Sequence, residues 1–155
     1  MRANSEDLLA YHERRVACRD DAADLLGETM LQAWRRIEAF PADDPTRQRM
    51  WLFGIAANVQ ANHRRSLLRR LALADRLRTH LDPADIPDSA ESQAMRDAVA
   101  RLPDAQRDLV TLVHWEGFAI LEAAQVLGLN PSTARSRYST ARASLRAALT
   151  EDSRA

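Results

Sequence analysis

The stretch EAAQVLGLNPSTARSRYSTARASLR, residues 122–146, decides how the chain is read. Glu122, Ala123, Ala124, Val126 and Leu127 make a short apolar helix, and Gly128 follows Ala124 by four. Glycine supplies the left-handed backbone that ends a helix. Leu129 then turns inward, and Asn130 with Pro131 starts a second helix, Asn as cap and Pro at its first turn. The small Ala124 before Gly128, with Ala134 six residues further on, is the spacing of a helix-turn-helix, in which two helices cross closely over small side chains. The second helix divides by face. Ala134, Tyr138, Ala141 and Leu145 are expected inside, leaving Ser132, Thr133, Arg135, Ser136, Ser139, Thr140 and Arg142 outside. Short donors with arginines suit a major groove, where Arg reads guanine or holds phosphate.

Outward from this pair, the chain of 155 residues has room for one average domain or two small ones, and its 46% apolar content can fill a core. It is rich in Ala, Leu and Arg and has four glycines, which favours helix. No run of about 18 apolar residues occurs, so no membrane insertion is expected. The amino-terminal MRANSEDLLAYHERR has no apolar signal core. Cys18 stands alone, excluding an internal disulfide and fitting a reducing cytoplasm. The net charge is zero but unevenly spread. Residues 35–80 carry ten Arg and four acids, 81–100 five acids and one Arg, and 131–155 five Arg and two acids. Two basic segments flanking an acidic one suggest contact with a polyanion at two places.

Periodicity predicts helices over 6–18, 20–39, 46–72, 93–101 and 104–115 before the pair. Asp20 or Asp21 can cap the second. Its expected buried set is Ala22, Leu25, Leu26, Met30, Ala33, Trp34 and Ile37, and that of the third is Trp51, Leu52, Ile55, Ala56, Val59, Leu67, Leu68 and Leu71. Pro41 and Pro45 separate them. LDPADIPDSAES, residues 81–92, has two prolines, four acids and no period, and reads as a linker. No strand pattern is present. The fold class is therefore all-α: two small helical domains joined by an acidic linker.

These residues, in this order, resemble the extracytoplasmic-function (ECF) sigma factors of bacterial RNA polymerase. ARLPDAQRDLVTLVHWEGFAILEAAQVLGLNPSTARSRYSTARASLRAAL resembles their fourth region. DDAADLLGETMLQAWRRIEAF resembles the polymerase-binding part of their second region, and RMWLFGIAANVQANHRR the part that melts and reads the minus-ten element. The resemblance implies region 2 over 1–80, a linker over 81–95 and region 4 over 96–155. It implies a helical bundle for the first, a helix-turn-helix for the last, and sigma-factor activity in promoter-specific initiation. It implies that Asp24, Leu25 and Glu28 dock on the β′ clamp of polymerase core. Asn58 and Asn62, with Arg64 and Arg65, would meet the minus-ten element. Thr133, Arg135, Ser136, Ser139 and Thr140 would read the minus-thirty-five element, with Arg142 on phosphate. Implied partners are promoter DNA, polymerase core (β′ clamp and β flap) and an anti-sigma factor; no cofactor is implied.

The residues agree on separate grounds. Asn58 and Asn62 are four apart and share a helix face. An Asn amide offers both donors and an acceptor to an unpaired base. Arg64, Arg65, Arg69 and Arg70 follow the pair, while Arg47 and Arg49 precede it. Three departures from the family pattern stand out: a short first helix, Gly27 where Gln is usual, and Ala134 with Tyr138 in place of branched aliphatics. An enzyme is the main rival class. His12, His63, His80 and His114 are scattered, and there is no cysteine cluster, glycine-rich phosphate loop or nucleophile motif, so no catalytic or metal residue is expected. The other rival is a free-standing helix-turn-helix regulator, binding palindromic DNA as a dimer, which has no use for the amino-terminal half.

Overall fold

The computed structural model describes residues 2–77 and 90–152, with side chains placed for 4–74 and 93–150. The described residues are mostly helical and contain no strand. They form two units, Met1–Ala84 and Asp85–Ala155. The first holds α1 (Arg2–Glu13), α2 (Arg19–Arg35), a 3-10 turn (Ile37–Ala39) and α3 (Pro45–Leu77). The second holds α4 (Ala90–Ala100), α5 (Asp104–His114), α6 (Ile120–Val126) and α7 (Pro131–Asp152). Of the segment 81–95 read as a linker, 81–89 lies outside the described residues, as does His80, and 90–95 is the first part of α4.

α1 ends earlier than its apolar residues suggest. The Arg15 guanidinium donates to the Tyr11 carbonyl at 2.9 Å and lies 3.6 Å from the Tyr11 ring centre. One arginine thus satisfies a terminal carbonyl and covers an aromatic face, and the chain leaves the helix before Val16. Neither Asp20 nor Asp21 caps α2. Cys18 occupies that position without a side-chain bond, and the two acids sit in the first turn, where they suit the positive end of the helix. α3 is capped by Asp44, whose Oδ1 accepts from the backbone N–H of Thr46 at 2.9 Å and of Arg47 at 3.3 Å, with Pro45 as first residue.

The core of the first unit is Leu8 and Tyr11 of α1, Ala22, Leu25 and Ala33 of α2, and Leu52, Phe53, Ile55, Ala56 and Val59 of α3. Tyr11 and Phe53 meet edge to face at 5.4 Å. Each fully buried large side chain contributes about 1.5–3 kcal/mol. Trp34 and Ile37, expected inside, are 73% and 48% exposed. Leu67, Leu68 and Leu71 are exposed as well. Three polar residues take buried places instead: His12, Thr29 and Gln60.

In the second unit, Ala98, Val99 and Leu102 pack with Val110 of α5 and Ala141 and Leu145 of α7. Arg107 closes the end of α4. Its guanidinium donates to the carbonyls of Val99, Ala100 and Leu102 at 3.3, 2.6 and 2.9 Å, satisfying acceptors that a helix end leaves open. Gly117, at φ +72°, turns the chain from α5 towards α6.

Candidate nucleic-acid interface

The α6–α7 pair has the geometry that its sequence requires. Gly128 has φ +65°. Its N–H donates to Gln125 at 3.1 Å and that of Leu129 to Ala124 at 2.8 Å, the paired bonds of a left-handed helix stop. At the start of α6 the Glu122 carboxylate accepts from the Ala119 N–H at 2.8 Å. At the start of α7 the Asn130 Oδ1 accepts from the Ser132 N–H at 2.9 Å and from its hydroxyl at 2.8 Å. Ala123, Ala124, Ala134 and Ala141 are buried to 1% exposure or less, so small side chains fill the crossing.

With Ala134, Ala141 and Leu145 inside, α7 presents Ser132, Arg135, Ser136, Ser139, Thr140 and Arg142 to solvent, while Thr133 is half-buried. The Thr140 hydroxyl already donates to the Ser136 carbonyl at 3.1 Å, which leaves its lone pairs outward. Tyr138 is half-buried rather than a core residue. Its hydroxyl lies 2.8 Å from Nε2 of His114, tying α7 to the end of α5, and the Arg142 guanidinium lies 5.9 Å from its ring centre. Sequence reading missed this tie, since it assigned Tyr138 to filling volume.

On α3, Asn58 and Asn62 are both exposed on one side. The Asn62 Oδ1 accepts from the Arg65 guanidinium, which gives the exposed pair a fixed cation beside it. Arg64 is half-buried and Arg65 exposed. Gln60, between the two asparagines in sequence, faces the opposite way and is buried. There His12 Nδ1 lies 2.9 Å from Gln60 Oε1, His12 Nε2 lies 3.1 Å from the Thr29 hydroxyl, and that hydroxyl donates to the Leu25 carbonyl at 2.7 Å. Burial pushes the His12 pKa below its ordinary value. The Gln60 bond opposes this, and the nearby Arg15 and His63 add to it. A signal for this triad existed: His12, Thr29 and Gln60 each stand four residues after a core residue, Leu8, Leu25 and Ala56.

On α2, Asp24 and Glu28 are exposed, and Glu28 accepts from Gln32 at 2.8 Å. Leu25 differs from them in exposure. It is 8% exposed and packs in the core. Leu31, at 41% exposure, and Trp34 continue the same outer side of the helix. Among the described residues no group of His, Cys, Asp and Glu could hold a metal ion.

The two units correspond to two family models, Sigma-70 region 2 over residues 1–70 and Sigma-70 region 4 over 92–145. The chain is 32% identical to the ECF RNA polymerase sigma factor BldN of Streptomyces coelicolor, over 97% of its own length and 59% of that protein's. It is 32% identical to the ECF sigma factor EcfG of Rhodopseudomonas palustris, over 86% of this chain and 74% of that one. The chain belongs to the ECF sigma factors of the sigma-70 family. Among solved structures, the sigma factor RpoE of Bartonella quintana, in complex with the anti-sigma factor NepR, matches with a TM-score of 0.78 and 25% identity, over 96% of this chain and 92% of that one. The ECF assignment does not favour the reading as a free-standing regulator, because that reading leaves the region 2 unit without a role.

Proposed function

We propose that this ECF sigma factor binds RNA polymerase core through the outer side of α2 and opens and reads a two-element promoter through α3 and α7. The observation that carries the reading is the division of α3: an outer side with exposed Asn58, Asn62 and Arg65, backed by an inner side locked into the bundle. Base extrusion costs a few kcal/mol, so it needs groups that recognise the freed base and cations that hold the strand. Asn58 and Asn62 supply the amides, and Arg64 and Arg65 the charge.

On α7, Arg135, Ser136 and Ser139 stand towards the bases of the minus-thirty-five element, with Thr133 and Thr140 at the margin. Arg142 holds a phosphate. Asp24 and Glu28, joined by the exposed Leu31 and Trp34, form the docking side for the β′ clamp, and the β flap is the partner of the region 4 unit. An apolar centre with a charged rim is the composition of a protein interface. Region 2 spans 1–80 and region 4 spans 96–155, and the protein works in the cytoplasm. The RpoE structure contains an anti-sigma factor, and we assign a partner of that kind to this chain also.

Transcription in vitro with purified core enzyme on a library of genomic fragments tests the reading. Initiation from a shared pair of elements is expected. Absence of core binding, by gel shift or by co-sedimentation, would refute it.

A further inference from the structure

We propose that His12 is a positioning residue for promoter opening: held by Thr29, it anchors Gln60 and so fixes the rotation of α3 that aims Asn58 and Asn62. The inference rests on the assignment of the outer side of α3 to the minus-ten element.

Three helices meet at one imidazole. His12 comes from α1, Thr29 from α2 and Gln60 from α3. His12 and Thr29 are fully buried and Gln60 is 5% exposed, so no water competes for these bonds. Most of the remaining contact is Leu, Ile, Val and Ala around the Tyr11–Phe53 ring pair, and aliphatic packing is non-directional and resists rotation of a helix weakly. A hydrogen bond weakens steeply once its angle closes, so this chain of three bonds defines a rotation that apolar contact leaves loose. The exposed ion pair of Arg49 with Asp7, at 3.5 Å, is a poor substitute in solvent.

Gln60 lies two residues from each asparagine, which on a helix puts it on the opposite side from both. A turn of α3 about its axis that breaks the His12–Gln60 contact therefore swings both amides together.

The proton positions fit an anchor. The Thr29 hydroxyl gives its proton to the Leu25 carbonyl, so its oxygen accepts from His12 Nε2–H. In the neutral ring Nδ1 is then an acceptor, served by the Gln60 amide NH2. In the imidazolium Nδ1 is a donor, served by Oε1. Gln60 meets either form by turning its amide over, a property that a carboxylate at this place, which only accepts, would not match.

The test uses the full-length protein with polymerase core and three variants of the supporting pair. Thr29→Val and Gln60→Met keep the volume and remove a bond, while Thr29→Ser keeps the hydroxyl and loses a methyl group. Permanganate reactivity on a duplex promoter is expected to fall in Thr29→Val and Gln60→Met, by up to about a hundredfold, the scale on which a 1 Å misplacement costs rate. Core binding and affinity for a minus-thirty-five duplex are expected to stay unchanged, and a pre-melted bubble template to restore initiation. Thr29→Ser is expected to open the duplex normally despite a lower melting temperature. Normal opening in Thr29→Val and Gln60→Met, or opening that follows melting temperature across all three, would overturn the inference. The double variant Asn58→Ala, Asn62→Ala, run alongside, separates the two levels. If it opens promoters normally, the assignment of the outer side of α3 fails and the anchor has nothing to aim. If it is defective while the triad variants are not, only the anchor fails.

Discussion

Adding the same methyl group at two glycines should move stability in opposite directions. Gly128 and Gly27 each have nothing within 4 Å of an added Cβ, so steric contact contributes to neither substitution. Gly128 has φ +65° and carries the turn between α6 and α7. A Cβ in the left-handed region costs roughly 1–2 kcal/mol. The unfolded chain loses freedom on gaining Ala, which offsets about 0.4–1 kcal/mol. Gly128→Ala should therefore destabilise the second unit by about 1 kcal/mol. Gly27 lies in the middle of α2, exposed, with no positive φ. There Ala improves helix propensity by about 0.8–1 kcal/mol, and nothing opposes it. Amide hydrogen exchange on the full chain reads each unit through its own slowest amides. Exchange in α5 and α7 should speed up by about fivefold in Gly128→Ala, and that in α2 and α3 should slow by a similar factor in Gly27→Ala. Equal signs for the two substitutions would refute the reasoning, because the only difference invoked between them is the sign of φ.

Three further outcomes are expected. Arg135→Ala should weaken binding to a cognate minus-thirty-five duplex by roughly 1–3 kcal/mol and much less to a scrambled one, whereas Arg142→Ala should weaken both alike and flatten the salt dependence; titrations on both duplexes at several salt concentrations decide it. Leu25→Ala should cost about 2–5 kcal/mol of stability as a core deletion, while Asp24→Ala should leave the urea midpoint in place and lower affinity for polymerase core, measured by competition against a labelled sigma factor. His12 binds its proton less readily folded than unfolded, so its contribution to stability is complete above its ordinary value of 6.5 and is lost as pH falls below it; urea midpoints between pH 7.5 and 5.5 should fall in the native protein and fall less in His12→Gln.

The helix-turn-helix was legible because each of its devices is local. A glycine needs its φ, an asparagine caps the helix beside it, and alanines permit a crossing, all within 25 residues of one another. The exposed side of α7 followed as the complement of its core side. The His12 triad was not legible in the same way. Hydropathy puts His, Thr and Gln outside, and their burial rests on partners 17 and 48 residues away that satisfy one another. Leu25 was legible from periodicity, which places it inside with Ala22 and Ala33, and it is 8% exposed; it was the resemblance that grouped it with the exposed Asp24 and Glu28.

Helix length accounts for the largest misreading. Periodicity in α3 runs past Val59 through Leu67 and Leu71, so the sequence predicts a buried stripe along its whole length. At 1.5 Å per residue the 33 residues of α3 extend about 50 Å, whereas the 17 residues of α2 extend about 25 Å. Neither α2 nor the shorter α1 can cover the carboxy-terminal part of α3 while packing against its amino-terminal half, and Leu67, Leu68, Leu71 and Leu73 are 42–60% exposed. A period tells which side of a helix is apolar. Whether that side is buried depends on how far the neighbouring helices reach, which is fixed by their stops: Arg15 on the Tyr11 carbonyl for α1, and the 3-10 turn ahead of Pro41 and Pro45 for α2. Asn58 and Asn62, which we assign to the promoter, lie next to Val59 and Gln60, the last buried residues among those described in α3. They sit where α3 is still held rigidly by the bundle, at the start of the stretch that the bundle no longer covers, and groups that must meet an extruded base need that support behind them.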